Sequence, residues 1–158
     1  MAVAEICSSR EETQMPDRPV SEVIGNRAVP TAGVATKVCD VARIMKECHS
    51  SALLVVEKGV LAGICTERDI VFGVVAADLD PAQTRVDAVM TRNVQTIGPE
   101  KPFGHALHLM YEGGFRHVPV VDRAGHPLGL LAAHDALDAD GLQLERELIR
   151  REEVTVIL

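Results

Sequence analysis

The string Gly63-Ile-Cys-Thr-Glu-Arg-Asp69 gathers a hydroxyl, a cation and a carboxylate into four consecutive residues, Thr66 to Asp69. Thr66 and Asp69 stand three apart just ahead of the apolar pair Ile70-Val71, which is the spacing of a helix N-cap and its third-residue partner. Taken alone, that pattern is an ordinary helix start. The same groups can also hold a polar ligand, and a second observation is needed to choose. Other chemistry-bearing pairs are weaker. His105 and His108 can share a helix face, but no third metal ligand accompanies them and they read as a solvated face. Cys48 and His49 are adjacent, so on a helix they point about 100° apart and do not make a nucleophile and its base. The four cysteines, Cys7, Cys39, Cys48 and Cys65, have neither C-x-x-C nor zinc spacing and read as buried apolar thiols in a reducing, cytoplasmic setting. No glycine-rich phosphate loop, paired-carboxylate site or nucleophile elbow occurs, so the chain reads as a protein without catalytic machinery.

The elements that position Thr66 and Asp69 come in two copies. Arg27-Ala-Val-Pro-Thr-Ala-Gly33 lies over Arg92-Asn-Val-Gln-Thr-Ile-Gly98 at an offset of 65, and the same offset pairs Met45 with Met110 and Val55-Val56 with Val120-Val121. One residue inserted near Ala124 changes the offset to 66, which pairs Gly59 with Gly125, Gly63 with Gly129 and Asp69 with Asp135. Val20 and Val23 precede the first copy as Val86 and Val89 precede the second. Each copy predicts an extended stretch (28–31, then 93–97) and a helix with apolar residues at i, i+3, i+4 and i+7. In the first copy these are Val38, Val41, Ala42 and Met45; in the second, Phe103, Ala106, Leu107 and Met110, with Pro102 placed as the first helical residue. Two strands follow, 52–56 and 61–65 or 118–121 and 128–131, joined by a glycine turn. A second helix over 67–77 carries an apolar face of Ile70, Val71, Val74 and Val75.

The expected fold is therefore α/β, of the α+β kind, with two tandem β-α-β-β-α units packed sheet to sheet around a central cleft. Neither unit has strands enough to bury both faces alone. The boundaries read as an N-terminal extension over 1–19, a first unit over 20–80, a second over 81–140, and a helix and apolar tail over 141–158. Asp78 to Thr84, with Asp80-Pro81, reads as the linker.

Composition limits the partners. Hydrophobic residues make up 47% of the 158-residue chain and charged residues 25%, the balance of a globular protein. A net charge of −7 and only 3% aromatic residues argue against nucleic-acid backbones and base-stacking platforms. The longest apolar run, 70–77, is far short of a membrane span.

With the repeat established, the chain resembles the paired CBS domains, named for cystathionine β-synthase and also called Bateman modules. The resemblance covers roughly residues 20–140. Its specific element is Gly63-Ile-Cys-Thr-Glu-Arg-Asp69 followed by Ile70-Val71, similar to the family's nucleotide motif of Gly, two apolar residues, Thr or Ser, two variable residues and Asp. Arg116-His-Val-Pro-Val-Val-Asp122 is typical of second copies. The family implies a regulatory sensor with adenosyl ligands between the copies: AMP, ADP or ATP, sometimes NAD or S-adenosylmethionine, with no further cofactor. It implies a flat homodimer as well.

Under that resemblance Asp69 takes the ribose hydroxyls, Thr66 caps the helix or meets phosphate, and Arg68 supplies a local cation. Val29, Thr31, Ala52 and Leu53 are expected to line the base, with Arg116 and His117 reaching phosphate across the cleft. In the second copy Asp135 keeps the ribose acceptor, but Ala132 stands for Thr66 and His134 for Arg68, so the second cleft is expected to bind more weakly. The rival expectation is a structural or protein-interaction module that holds no ligand.

Overall fold

Ala52, Leu53, Leu54 and Val55 are all fully buried, because the strand that carries them has a partner on both edges and protein on both faces. A computed structural model describes residues 17–137 of the chain. In chain order its elements are α1 (Val20–Ile24), β1 (Thr31–Gly33), α2 (Val38–Glu47), β2 (Ala52–Glu57), β3 (Val60–Thr66), α3 (Glu67–Ile70), α4 (Phe103–Gly113), β4 (His117–Val121) and β5 (Pro127–Ala132). β2 pairs in parallel with β1 and antiparallel with β3, and β4 pairs antiparallel with β5.

Alternation along β2 divides the core. Leu53 and Val55 join Cys65, Val41 and Met45 under α2, while Ala52 and Leu54 join Ile64 on the opposite face. That second cluster also takes in Val29 and Leu61 from the first copy and Val94 and Leu130 from the second. It is the apolar seam that holds the two copies together, as the sheet-to-sheet expectation requires.

The copies also exchange their leading segments. α1 precedes the first copy, yet Val20 and Ile24 belong to the core of the second, beside Phe103, Val118 and Leu131. Val86 and Met90 precede the second copy, yet they belong to the core of the first. Backbone hydrogen bonds repeat the pattern: Val20 N to Lys101 O (2.8 Å) matches Val86 N to Thr36 O (2.8 Å), and Phe103 N to Arg18 O (2.8 Å) matches Val38 N to Thr84 O (3.0 Å). The glycines at the middle of β3 and β5 make room for this. A Cβ at Gly63 would lie 2.6 Å from Thr91 O and 2.9 Å from Met90 Sδ, and one at Gly129 would lie 2.7 Å from Ile24 Cδ1.

Several expected boundaries move. The extended stretch expected over 28–31 becomes β1 at Thr31–Gly33, and that over 93–97 pairs only where Ile97 meets Val120. Pro119 explains the shorter pairing. Its counterpart Leu54 donates its N–H to Pro30 O (2.9 Å), and a proline has no such donor. Pro102 is the N-cap of α4 and not its first helical residue. The helix expected over 67–77 is α3 followed by a π-helical turn, Val71–Val75, closed by Ala76 N to Val71 O (2.8 Å). Of its expected apolar face, Val74 is buried, whereas Val71 and Val75 are 50% and 69% exposed, next to Phe72 at 61%. The N-terminal extension up to residue 16 and the tail, with Cys7, lie outside the described residues. Among the described residues no helix is long and apolar enough to cross a membrane.

Gly63→Ala should lower stability by about 1–3 kcal/mol, since the added methyl meets a backbone carbonyl that cannot swing aside. Urea denaturation of the variant against the parent measures it, and an unchanged midpoint would show that Thr91 is not held there.

Candidate functional site

Two cavities flank the seam between the copies. The first, of 460 Å³, opens at the β3–α3 junction and is lined by Thr66, Arg68 and Asp69 on one side and by Thr91, Asn93, Val94 and Gln95 on the other, with Arg116 and His117 closing it. The second, of 920 Å³, is lined by Arg27, Val29, Pro30, Lys46, His49, Ala132 and His134 among others. Both volumes suit a small organic ligand. Each cleft is crossed: the helix start comes from one copy and the extended stretch facing it from the other.

The geometry at the first cleft begins with a capping box. Asp69 N–H donates to Thr66 Oγ1 (3.2 Å), and Asp69 Oδ2 accepts from Thr66 N (2.8 Å) and Thr66 Oγ1 (2.8 Å). These bonds fix the carboxylate through one oxygen. The other, Oδ1, accepts from Thr91 Oγ1 at 3.5 Å, a long contact, and the residue lines the cavity. Arg68 lies over the Phe72 ring at 5.3 Å, which holds its guanidinium at the cleft mouth.

Of the expected site residues, Thr66, Arg68, Asp69, Arg116 and His117 come together in the first cleft. Val29 does not join them, because it lines the second cleft. Its repeat partner Val94 takes its place, a consequence of the crossing. Ala52 and Leu53 are fully buried core residues and line neither cavity, and Thr31 lines neither. Asp135 is 5% exposed and is covered by Arg27, whose Nη1 donates to its Oδ1 at 2.6 Å. Sequence reasoning passed over Arg27, Thr91 and Ser51. Arg27 opens the repeat match, but nothing in the repeat shows that it reaches into the other copy.

Ser51, Glu67 and His117 line both cavities, and Ser51 Oγ lies 2.9 Å from His117 Nε2. Burial lowers the His117 pKa from its usual value, Arg116 and His134 lower it further, and Asp135 opposes them. The ring is therefore neutral at pH 7.

The cysteines are not uniformly buried. Cys65 is, and burial together with the Asp69 charge pushes its pKa up to about 12, so it is an inert thiol. Cys39 is half-buried and Cys48 exposed, the latter where the second cleft is lined; both lie on the surface of α2 and at its C-cap because the buried face there belongs to Val38, Val41 and Met45. His49 adopts a positive φ of 50° just past that helix. His105 and His108 are exposed, and His108 pairs with Glu112 at 3.2 Å.

Comparison with known proteins agrees with the geometry. The family model described as CBS domain matches twice, over residues 20–76 and 86–141. CBS domain-containing protein CBSCBSPB1 of Arabidopsis thaliana is 43% identical over 88 residues, which is 56% of this chain and 16% of that protein. The chain thus spans under a fifth of that relative's length. Among solved structures, the CBS domain pair of protein MJ0100 in complex with 5-methylthioadenosine and S-adenosyl-L-methionine superposes with a TM-score of 0.73 at 26% identity, covering 81% of this chain and 99% of that one. The CBS domain protein PAE2072 from Pyrobaculum aerophilum, complexed with AMP, matches in fold with a TM-score of 0.69 at 21% identity, covering 75% of this chain and 89% of that one.

The lowered His117 pKa has a stability consequence with a defined sign. Between its folded value and the unfolded value near 6.5 the unfolded chain binds the extra proton, so stability falls as pH drops through 6.5 and below. His117→Asn should flatten that part of the pH profile. Urea melts at intervals from about pH 5 to pH 7.5 test it, and parallel profiles for the two proteins would remove His117 as the cause.

Proposed function

Because this chain belongs to the CBS domain family, with two copies of the domain, we propose that it is a regulatory module that binds an adenine nucleotide in its first cleft. The single observation behind this reading is the Asp69 carboxylate in the cavity lining, locked through Oδ2 into the capping box while Oδ1 has only the 3.5 Å contact with Thr91. A ribose diol offers two O–H donors to such an acceptor. Val94 supplies an apolar wall for a base, and Arg68, Arg116 and the Thr66 hydroxyl supply partners for phosphate. AMP, ADP and ATP fit this set. The adenosyl ligands in the MJ0100 complex support the same class, and NAD shares the adenosine part.

Regulation follows from the crossing. A ligand that touches Asp69 on one copy and Val94 on the other binds one arrangement of the copies better than another, and shifts the population toward it. The role is regulatory and not catalytic, and the three described cysteines are unpaired, which suits the cytoplasm. Two copies of the chain associate through the exposed Val71, Phe72 and Val75, a patch too apolar to leave in water.

Asp69→Ala should weaken AMP or ATP binding about 10- to 100-fold, since it removes a charge-assisted contact to the ribose. Calorimetry on folded parent and variant decides it, with native mass spectrometry reporting any nucleotide carried through purification. No binding by the parent at millimolar nucleotide would leave the purely structural reading.

Light scattering should give about twice the single-chain mass of 17.0 kDa, and Phe72→Glu should shift it toward one chain. A parent protein at the single-chain mass would sink the dimer.

A further inference from the structure

The two clefts treat their carboxylates differently. Asp69 lines its cavity; Asp135, its repeat partner, does not line the second cavity, and Arg27 stands there in its place. Both Asp135 oxygens are engaged, Oδ1 by Arg27 Nη1 at 2.6 Å and Oδ2 by Ala132 N at 2.8 Å. The side chain of Asp135 is 4% exposed and that of Arg27 49%. Arg27 is itself anchored to the end of α1, through Nε to Ile24 O (3.2 Å) and Nη2 to Val23 O (3.1 Å). The counterpart Arg92 does not line the first cleft and donates elsewhere, to Asp87 O at 3.0 Å.

We propose that Arg27 sets the ligand specificity of the second cleft, admitting phosphorylated adenosyl ligands and refusing neutral ones. The proposal rests on reading both clefts as adenosyl sites. For a ribose diol to reach Asp135 Oδ1, the guanidinium must leave it. A neutral nucleoside offers Arg27 no anion in exchange, in a cavity lined by Lys46 and by one carboxylate, Glu67. A phosphate offers the replacement. Arg27 then exchanges one anion for another, and the diol hydroxyls donate to the carboxylate it leaves. At the first cleft no such exchange is needed, so neutral and phosphorylated ligands differ less there.

The test works in full-length Asp69→Ala protein, in which the first cleft is weakened, and titrates AMP and adenosine separately by calorimetry. With Arg27 present, adenosine should bind at least tenfold more weakly than AMP. Adding Arg27→Gln, which keeps N–H donors for the α1 carbonyls but removes the charge, should raise adenosine affinity about tenfold and close most of the gap. Arg27→Ala is the second variant. In both, single Arg27 variants of the parent should retain first-cleft AMP affinity, which certifies the fold. An AMP-to-adenosine gap that is the same with and without Arg27, or no gap when Arg27 is present, overturns the proposal. If the parent binds AMP but the Asp69→Ala protein binds neither ligand with any residue at 27, the proposal fails while the nucleotide reading stands. If the parent binds nothing, both fail.

Discussion

Everything in this molecule depends on each copy being completed by the segment that leads into the other. A β-α-β-β sheet of this size leaves one end of its helix–sheet core open. Val20 and Ile24 close that opening in the second copy, and Val86 and Met90 close it in the first. The closure is backbone-bonded at matching places, Val20 to Lys101 and Val86 to Thr36, so the chain cannot separate its copies without opening two cores at once. Fully buried valines and leucines are worth roughly 1.5–3 kcal/mol each, and those at the exchange points bind the two copies into one cooperative unit.

The crossing also makes the clefts. Because the segment before the second copy runs beside β3, as Ile64 and Thr91 show by exchanging hydrogen bonds of 3.0 and 2.8 Å, the residues just after it, Asn93 to Gln95, face Asp69. The same geometry carries Arg27 and Val29 to the second copy. Neither cleft exists within a single copy, which is why a ligand there reports on the arrangement of both.

Much of this was legible from the chain. The repeat offset of 65 and then 66 pairs Gly63 with Gly129 and Asp69 with Asp135, and those pairs occupy equivalent places: both glycines receive a side chain from the exchanged segment, and both carboxylates accept a backbone N–H three residues earlier. The pairing of Thr66 with Asp69 as a capping box was legible from spacing too. What the chain does not reveal is which copy supplies which wall. Val29 and Val94 are equivalent by repeat, so local pattern cannot assign one of them to Asp69; only the long-range exchange does. Apolar content misleads in the same way over 67–77, where a helical face of four apolar residues is half left to solvent, because periodicity marks a face without naming what covers it.

The second copy's departure from the motif also acts differently in three dimensions. Ala132 lacks the Thr66 hydroxyl, yet its backbone N–H still holds Asp135 Oδ2, so half of the capping box survives. The larger asymmetry is at Oδ1, where Thr91 stands 3.5 Å from one carboxylate and Arg27 stands 2.6 Å from the other. That difference reaches the wall the clefts share. His117 lines both cavities, is bonded to Ser51, and has its pKa lowered by burial and by Arg116 and His134 against the opposing pull of Asp135. Asp135 thus meets Arg27 as an ion-pair partner on one side and acts on the His117 ring on the other. The two clefts therefore differ less in the motif that builds them than in what the second oxygen of each carboxylate meets.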